Sequence, residues 1–229
     1  MNSGSLWLAQ LATGLMAAAA IAAEWTPTLT NSVEGFTNTG RNVYFILEPG
    51  HQLTLAGKEN GKTTELVITV LNETLAVGGV STRVVEERET ADGKLVEVSR
   101  NYFALGTNTR NVYYFGEDVD MFKPDGQVTH EGSWRAGRDG ASPGILIPGK
   151  PKVGDRYYQE HAEKVAMDRG ENVSIIQRVQ TSIGQFKSCL KVKETSALEP
   201  GTEYKSYAPD VGLVESGDLK LVQHGFVKP

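Results

Sequence analysis

The sequence predicts a mainly β chain: a single antiparallel meander forming a curved sheet, a partial barrel or a sandwich. Three observations carry this. From residue 42 onward, about eleven short runs of alternating or β-branched residues recur at even spacing. Turn signals separate them, most clearly Asn60-Gly61 and Asp92-Gly93, the pairs that accept the left-handed backbone of two-residue hairpins. Only residues 160–168 leave a helix open, and the alternation of Tyr158 and Glu160 against Gln159 and His161 favours a strand there too.

The N-terminus is set apart. Residues 1–23 contain no charged side chain, carry the apolar core Leu6-Trp7-Leu8 to Ala18, and end in the cleavage-like Ala20-Ile21-Ala22 before Glu24. This pattern predicts a cleavable signal peptide and a secreted or periplasmic protein. Retention as an anchor is the alternative, although Gln10, Thr13 and Gly14 interrupt a bilayer span and the n-region lacks Lys and Arg. Residues 24–41 read as an extended lead-in, and residues 42–229 as one β-rich domain with no linker dividing it.

Within that domain, residues 43–47 run into the Pro49-Gly50 turn and residues 52–56. Residues 63–75 follow, with Leu66, Ile68 and Val70 on one face. Gly78-Gly79 leads to residues 81–91 and 94–104, in which Val96 and Val98 alternate with Glu97 and Ser99 as on a half-buried strand. Residues 111–122, the Pro124-Asp125-Gly126 turn and residues 127–134 come next. Strand-like runs resume at 156–167, 172–183, 185–198, 202–207 and 212–224. Consecutive hairpins make a meander the simplest topology.

Composition narrows the function. The formal net charge of −5 disfavours nucleic-acid binding, which needs a concentrated basic surface. Cys189 is the sole cysteine, so no internal disulfide forms, and its alternating surroundings suit a buried thiol. No segment after residue 23 is long and apolar enough for a transmembrane helix.

Residues 132–155, GSWRAGRDGASPGILIPGKPKVGD, hold six glycines and three prolines, which argues against a helix or a central strand. Trp134 and Ile145-Leu146-Ile147 nevertheless call for burial, so an ordered and functional loop is expected. Together with Phe45-Ile46-Leu47-Glu48-Pro49-Gly50, Tyr114-Phe115-Gly116-Glu117-Asp118 and Tyr207-Ala208-Pro209-Asp210-Val211-Gly212-Leu213-Val214, this stretch resembles the motifs of a family of bacterial secreted proteins of uncharacterised function. The resemblance spans nearly the whole mature chain. It implies a secreted β-rich fold similar to the half-barrels of periplasmic lipid carriers, and no activity. Leu53 and Leu55 depart from the family's Trp and Tyr, and Asp210 stands where the family has glycine.

Candidate chemistry is sparse. Gly140-Ala141-Ser142-Pro143-Gly144 spells a serine-hydrolase elbow, but the residue after that serine must donate its N–H and Pro143 has none. His51, His130, His161 and His224 show no metal-ligand spacing, so no cofactor or metal is expected; Glu117, Asp118 and Asp120 are the weak metal candidates. Should the chain be an enzyme, Asp118, His130 and His161 are its candidate acid/base groups. For ligand binding the candidates are Trp134, Arg135, Arg138, Tyr114 and His51, with basic loop residues offering either a mouth for an anion or ion pairs that pin the loop. Tyr44-Phe45, Tyr102-Phe103 and Tyr113-Tyr114-Phe115 place aromatics on both faces, as suits a curved sheet over a cavity.

The expected function is therefore a secreted or periplasmic, non-enzymatic protein binding a small hydrophobic or amphipathic ligand or a cell-envelope protein in a concave sheet. Residues 132–155 would form the rim or lid. A hydrolase or lyase using carboxylate and histidine groups is the first alternative, and a structural subunit of an extracellular assembly the second.

Overall fold

A computed structural model describes residue 25 and residues 34–228 of the chain. The expected signal peptide and most of the lead-in lie outside the described residues, which contain strands and no helix. The strands are β1 (Phe36–Thr37), β2 (Arg41–Asn42), β3 (Phe45–Ile46), β4 (His51–Glu59), β5 (Lys62–Val77), β6 (Val80–Ala91), β7 (Lys94–Gly106), β8 (Val112–Phe122) and β9 (Val128–Thr129). They continue with β10 (Trp134–Arg135), β11 (Ser142–Ile147), β12 (Arg156–Tyr158), β13 (Glu160–His161), β14 (Asp168–Thr181), β15 (Gly184–Ser196), β16 (Glu203–Ala208), β17 (Gly212–Ser216) and β18 (Leu219–Phe226).

One antiparallel sheet follows the path β12-β14-β15-β16-β17-β18-β4-β5-β6-β7-β8-β11-β13. Its two ends, β12 and β13, are separated in the chain only by Gln159. Tyr157 pairs with Gly170 of β14, and Glu160 pairs with Pro143 of β11, so one short segment serves both margins. The sheet is thereby nearly closed into a barrel, which removes the free edges an open sheet would expose. The expected meander is present from β4 to β8 and from β14 to β18, and the pairing of β18 with β4 joins the two runs.

Local sequence explains the turns. Asn60 and Gly61 have φ of 50° and 80°, and Asp92 and Gly93 have 50° and 76°, the doubly left-handed geometry of a two-residue hairpin. Asp210 takes a φ of 59°, a left-handed conformation that glycine adopts more easily. Residues 160–168 are extended, with β13, a bridge between Ala162 and Ala166, and the start of β14. Cys189 is fully buried, as its surroundings suggested.

Residues 132–155 are corrected from loop to wall, because they supply β10 and β11. Pro143 is tolerated since β11 changes partner there. Ser142 and Pro143 pair with β13, whereas Gly144 to Ile147 pair with β8, so the missing N–H falls where one ladder ends. Gly144 lies against the Gln159 backbone, too close for any Cβ.

The β2–β3 hairpin seals one end of the barrel. Asn42 Nδ2 donates to the carbonyls of Arg110 (2.9 Å) and Pro148 (3.2 Å), and the Asp210 N–H donates to the Val43 carbonyl (2.8 Å). Tyr44 Oη reaches the Ser188 carbonyl, and Phe45 packs edge-on against Phe103. The opposite end is framed by the turns at 60–61 and 92–93 and by the loop between β15 and β16.

A bulge in β8 sets which side chains face inward. Asn101 pairs with Glu117 but Phe103 with Tyr114, so β8 carries one residue more than β7 between these pairs. The extra length sits at Gly116, whose φ is 131°. Tyr114 and Glu117 consequently face the interior together, while Tyr113 and Phe115 point outward onto Phe36. A Cβ at residue 116 would run into the Trp134 carbonyl. We expect Gly116→Ala to destabilise the fold by about 2 kcal/mol or more through combined clash and backbone strain. Chemical denaturation measures this, and a wild-type midpoint would show that the bulge relaxes freely.

Candidate functional site

The interior of the barrel is not fully packed. It holds a cavity of about 540 Å³, within the range of small-molecule sites. At the sealed end the wall is apolar, with Phe45, Ile46, Leu53, Val70, Phe103 and Leu213. Leu66, Ile68 and Val70 share the lumen face of β5, as their spacing predicted. Toward the open end the wall becomes acidic, and seven carboxyl groups line the cavity against one ammonium, that of Lys205.

The strands deliver these groups by simple alternation. Val85 and Glu87 project inward from β6, and Glu97, Ser99, Asn101 and Phe103 from β7. Here an expectation is reversed, because Glu97 and Ser99 face the lumen and Val98 the outside. The reason is that the lumen near the open end is a polar cavity, while Val98 is covered on the outer surface beside Leu95 and Phe122. Beyond Glu87 and Glu97, a neighbouring space of about 260 Å³ shares both with the main cavity and adds Glu59 and Glu89. Glu89 and Glu97 are direct cross-strand partners, so like charges crowd this opening.

Some lumen groups satisfy one another. Lys205 Nζ lies 2.7 Å from Glu194 Oε2, and Gln159 Nε2 donates to Glu194 Oε1 at 2.8 Å. Ser216 Oγ donates to Glu203 at 2.7 Å. Tyr114 hydrogen-bonds Asn101, and Trp134 Nε1 reaches Glu160 Oε1 at 3.4 Å. Burial pushes the Glu117 carboxyl well above the usual carboxylate range, and the neighbouring Glu160 charge raises it further. Glu160 is raised by burial and by Asp168, partly offset by the Trp134 hydrogen bond. Burial and the nearby His224 charge lower His51 to about 4, so it is neutral at neutral pH.

Of the residues singled out from sequence, Tyr114 and His51 line the cavity. His51 is buried and packs on Phe226. Trp134 stands behind the wall, edge-on to Tyr114 at 5.5 Å. Arg135 and Arg138 lie in a separate outer groove, and Arg135 pairs with Asp118 while its guanidinium stacks over Tyr102 at 5.2 Å. Arg135 thus pins the 132–155 segment, the structural one of its two expected roles.

Asp118, His130 and His161 do not converge. His130 Nδ1 contacts Asp120 Oδ1 at 2.8 Å on the exposed outer face. His161 Nδ1 is 3.0 Å from Ser142 Oγ, and that cross-strand pair faces away from the lumen side that Pro143 and Glu160 share. Among the described residues no three His, Cys, Asp or Glu side chains are grouped to hold a metal ion, and Glu117, Asp118 and Asp120 are split between inside and outside by the Gly116 bulge. The lumen groups Glu87, Glu97, Glu194 and Lys205 were missed as site residues. For Glu87 and Glu97, parity on β6 and β7 was the available signal, once the inward face was allowed to be charged.

A carboxyl raised on folding holds a proton that the unfolded chain has released, so its stabilising contribution is full at acid pH and is lost as pH rises. We therefore expect Glu117→Gln to be progressively more stable than wild type from pH 5 to pH 9, by up to about 1.4 kcal/mol per pH unit. Denaturation midpoints across that range test this, and a pH-independent difference would contradict the buried, protonated carboxyl. The chain matches no family profile, no curated protein and no solved structure.

Proposed function

We propose that the chain is a secreted or periplasmic, non-enzymatic protein that binds a small amphipathic ligand inside its barrel. The observation that carries this reading is the graded cavity, apolar at its sealed end and polar at its open end. Residues 132–155 serve as wall and rim: Leu146 contributes to the lining, and Trp134 braces Tyr114 and Glu160 from behind. The export reading is supported by the charge-free residues 1–23. It is also supported by Trp25, which packs under the guanidinium groups of Arg156 (5.7 Å) and Arg169 (4.8 Å), so the folded body begins close after the expected cleavage point.

A second reading, hydrolysis or elimination by acid/base groups, draws on Glu117 and Glu160, two carboxyls of raised pKa in one cavity. It has less support, because its candidate trio of Asp118, His130 and His161 is dispersed. An assembly subunit finds less support still, since the two margins of the sheet meet and little edge is left for a neighbour.

Three measurements test the leading reading. Protein exported by its own host should begin at Glu24 on N-terminal sequencing; an intact N-terminus on the exported chain would support anchoring instead. The same material should carry a small-molecule adduct in native mass spectrometry that denaturation releases. Ser99→Phe, which places a ring in the lumen, should lower uptake of the neutral apolar dye N-phenyl-1-naphthylamine by about tenfold. Adduct-free protein that also excludes the dye would remove the binding reading.

A further inference from the structure

The charge of the lumen is out of balance, and two carboxyl groups in it have no hydrogen-bonded partner among the described residues. Glu87 is half-buried and lines the cavity. It has no hydrogen bond and no ion pair among the described residues, unlike Glu194, Glu203 and Glu160. From the elements around it, Glu97 of β7, Glu194 of β15 and Lys205 of β16 act on it, together with Glu89 of its own strand. Lys205, the single ammonium of the lining, is already engaged at 2.7 Å by Glu194. Glu97 faces the same space with no hydrogen-bonded partner among the described residues.

Burial and the neighbouring acids Glu97, Glu194 and Glu89 raise the Glu87 carboxyl, so in the empty cavity it is relieved by holding a proton, and a bound counter-charge with donors would let it ionise. No basic side chain of the described wall is left to do so. A metal ion suits the site poorly, because the described carboxylates are not gathered as ligands. An organic cation suits it well, since an ammonium brings both positive charge and several N–H donors and tolerates spread-out acceptors. The apolar far end then accommodates the rest of such a molecule, so this inference rests on the binding reading above and deepens it.

We infer that the ligand is a cationic amphiphile, an amine whose ammonium head is held by Glu87 and Glu97 near the open end while its hydrocarbon part lies against Phe45, Phe103 and Leu213. The acidic opening formed with Glu59 and Glu89 favours approach of that head and repels phosphate- or sulfate-bearing molecules. The chemistry is thus opposite in sign to an anion-binding mouth built from the basic residues of 132–155, of which Arg135 and Arg138 lie in an outer groove.

Three probes with one tail and different heads test this: octylammonium, 1-octanol and octyl sulfate, each competing with N-phenyl-1-naphthylamine for the exported chain. Octylammonium should bind at least about tenfold more tightly than 1-octanol, and octyl sulfate more weakly than either. Glu87→Gln and Glu97→Gln, close in shape to wild type and checked by thermal melting, should bring octylammonium down toward 1-octanol and leave 1-octanol unchanged. Asp120→Asn, on the outer face, should alter none of the three, which separates a lumen contact from net charge. Equal binding of octylammonium and 1-octanol, preference for octyl sulfate, or insensitivity to both glutamate variants overturns the cationic head while the cavity reading stands. Failure of all three probes to displace the dye overturns both.

Discussion

Everything inside the barrel depends on residues 156–161 pairing in two directions. Arg156 to Tyr158 complete the β14 side and Glu160 to His161 complete the β11 side, with Gln159 turned toward Glu194 at the junction. Without that double allegiance the path of strands would be an open curved sheet and its concave face would be wet. With it, the carboxyl groups of β6, β7 and β8 are brought opposite those of β14 to β16 in a shielded space, and their mutual repulsion becomes a property of the fold. Close approach of Gly144 to the Gln159 backbone lets the seam form, which ties the glycine-rich stretch to closure rather than to chemistry.

The β architecture was legible because it rests on local rules. Asn60-Gly61, Asp92-Gly93 and the strained Asp210 behave as their backbone preferences dictate, and Leu66, Ile68 and Val70 share a face as period-two spacing requires. What was illegible is non-local. Closure needs a segment to find two partners distant in sequence, and nothing in residues 156–161 announces it. The inward face of β7 was misread because alternation tells which residues share a side and leaves open which side is the interior. Val98 and Glu97 are a true alternation read with the wrong sign.

The same limit explains why Asp118 and not Glu117 was the expected acid/base group. In a regular strand Tyr114, Gly116, Asp118 and Asp120 would share one face. The bulge at Gly116 shifts that phase, sending Glu117 inward beside Tyr114 and Asp118 outward to Arg135. Gly116 was visible in the sequence as an isolated strand glycine, the usual mark of a bulge or close backbone approach. Its effect on two neighbouring acids could be assigned only with the partner strands in place.

The β2–β3 hairpin covers one end of the lumen, with Phe45 and Ile46 in its lining. A molecule bound there in the way proposed would arrive and depart by the other end. Orientation is then decided at insertion, since the part that enters first meets Phe45 and Ile46 and the part that enters last stays beside the opening. Exchange in such a vessel is governed by how readily its occupant backs out.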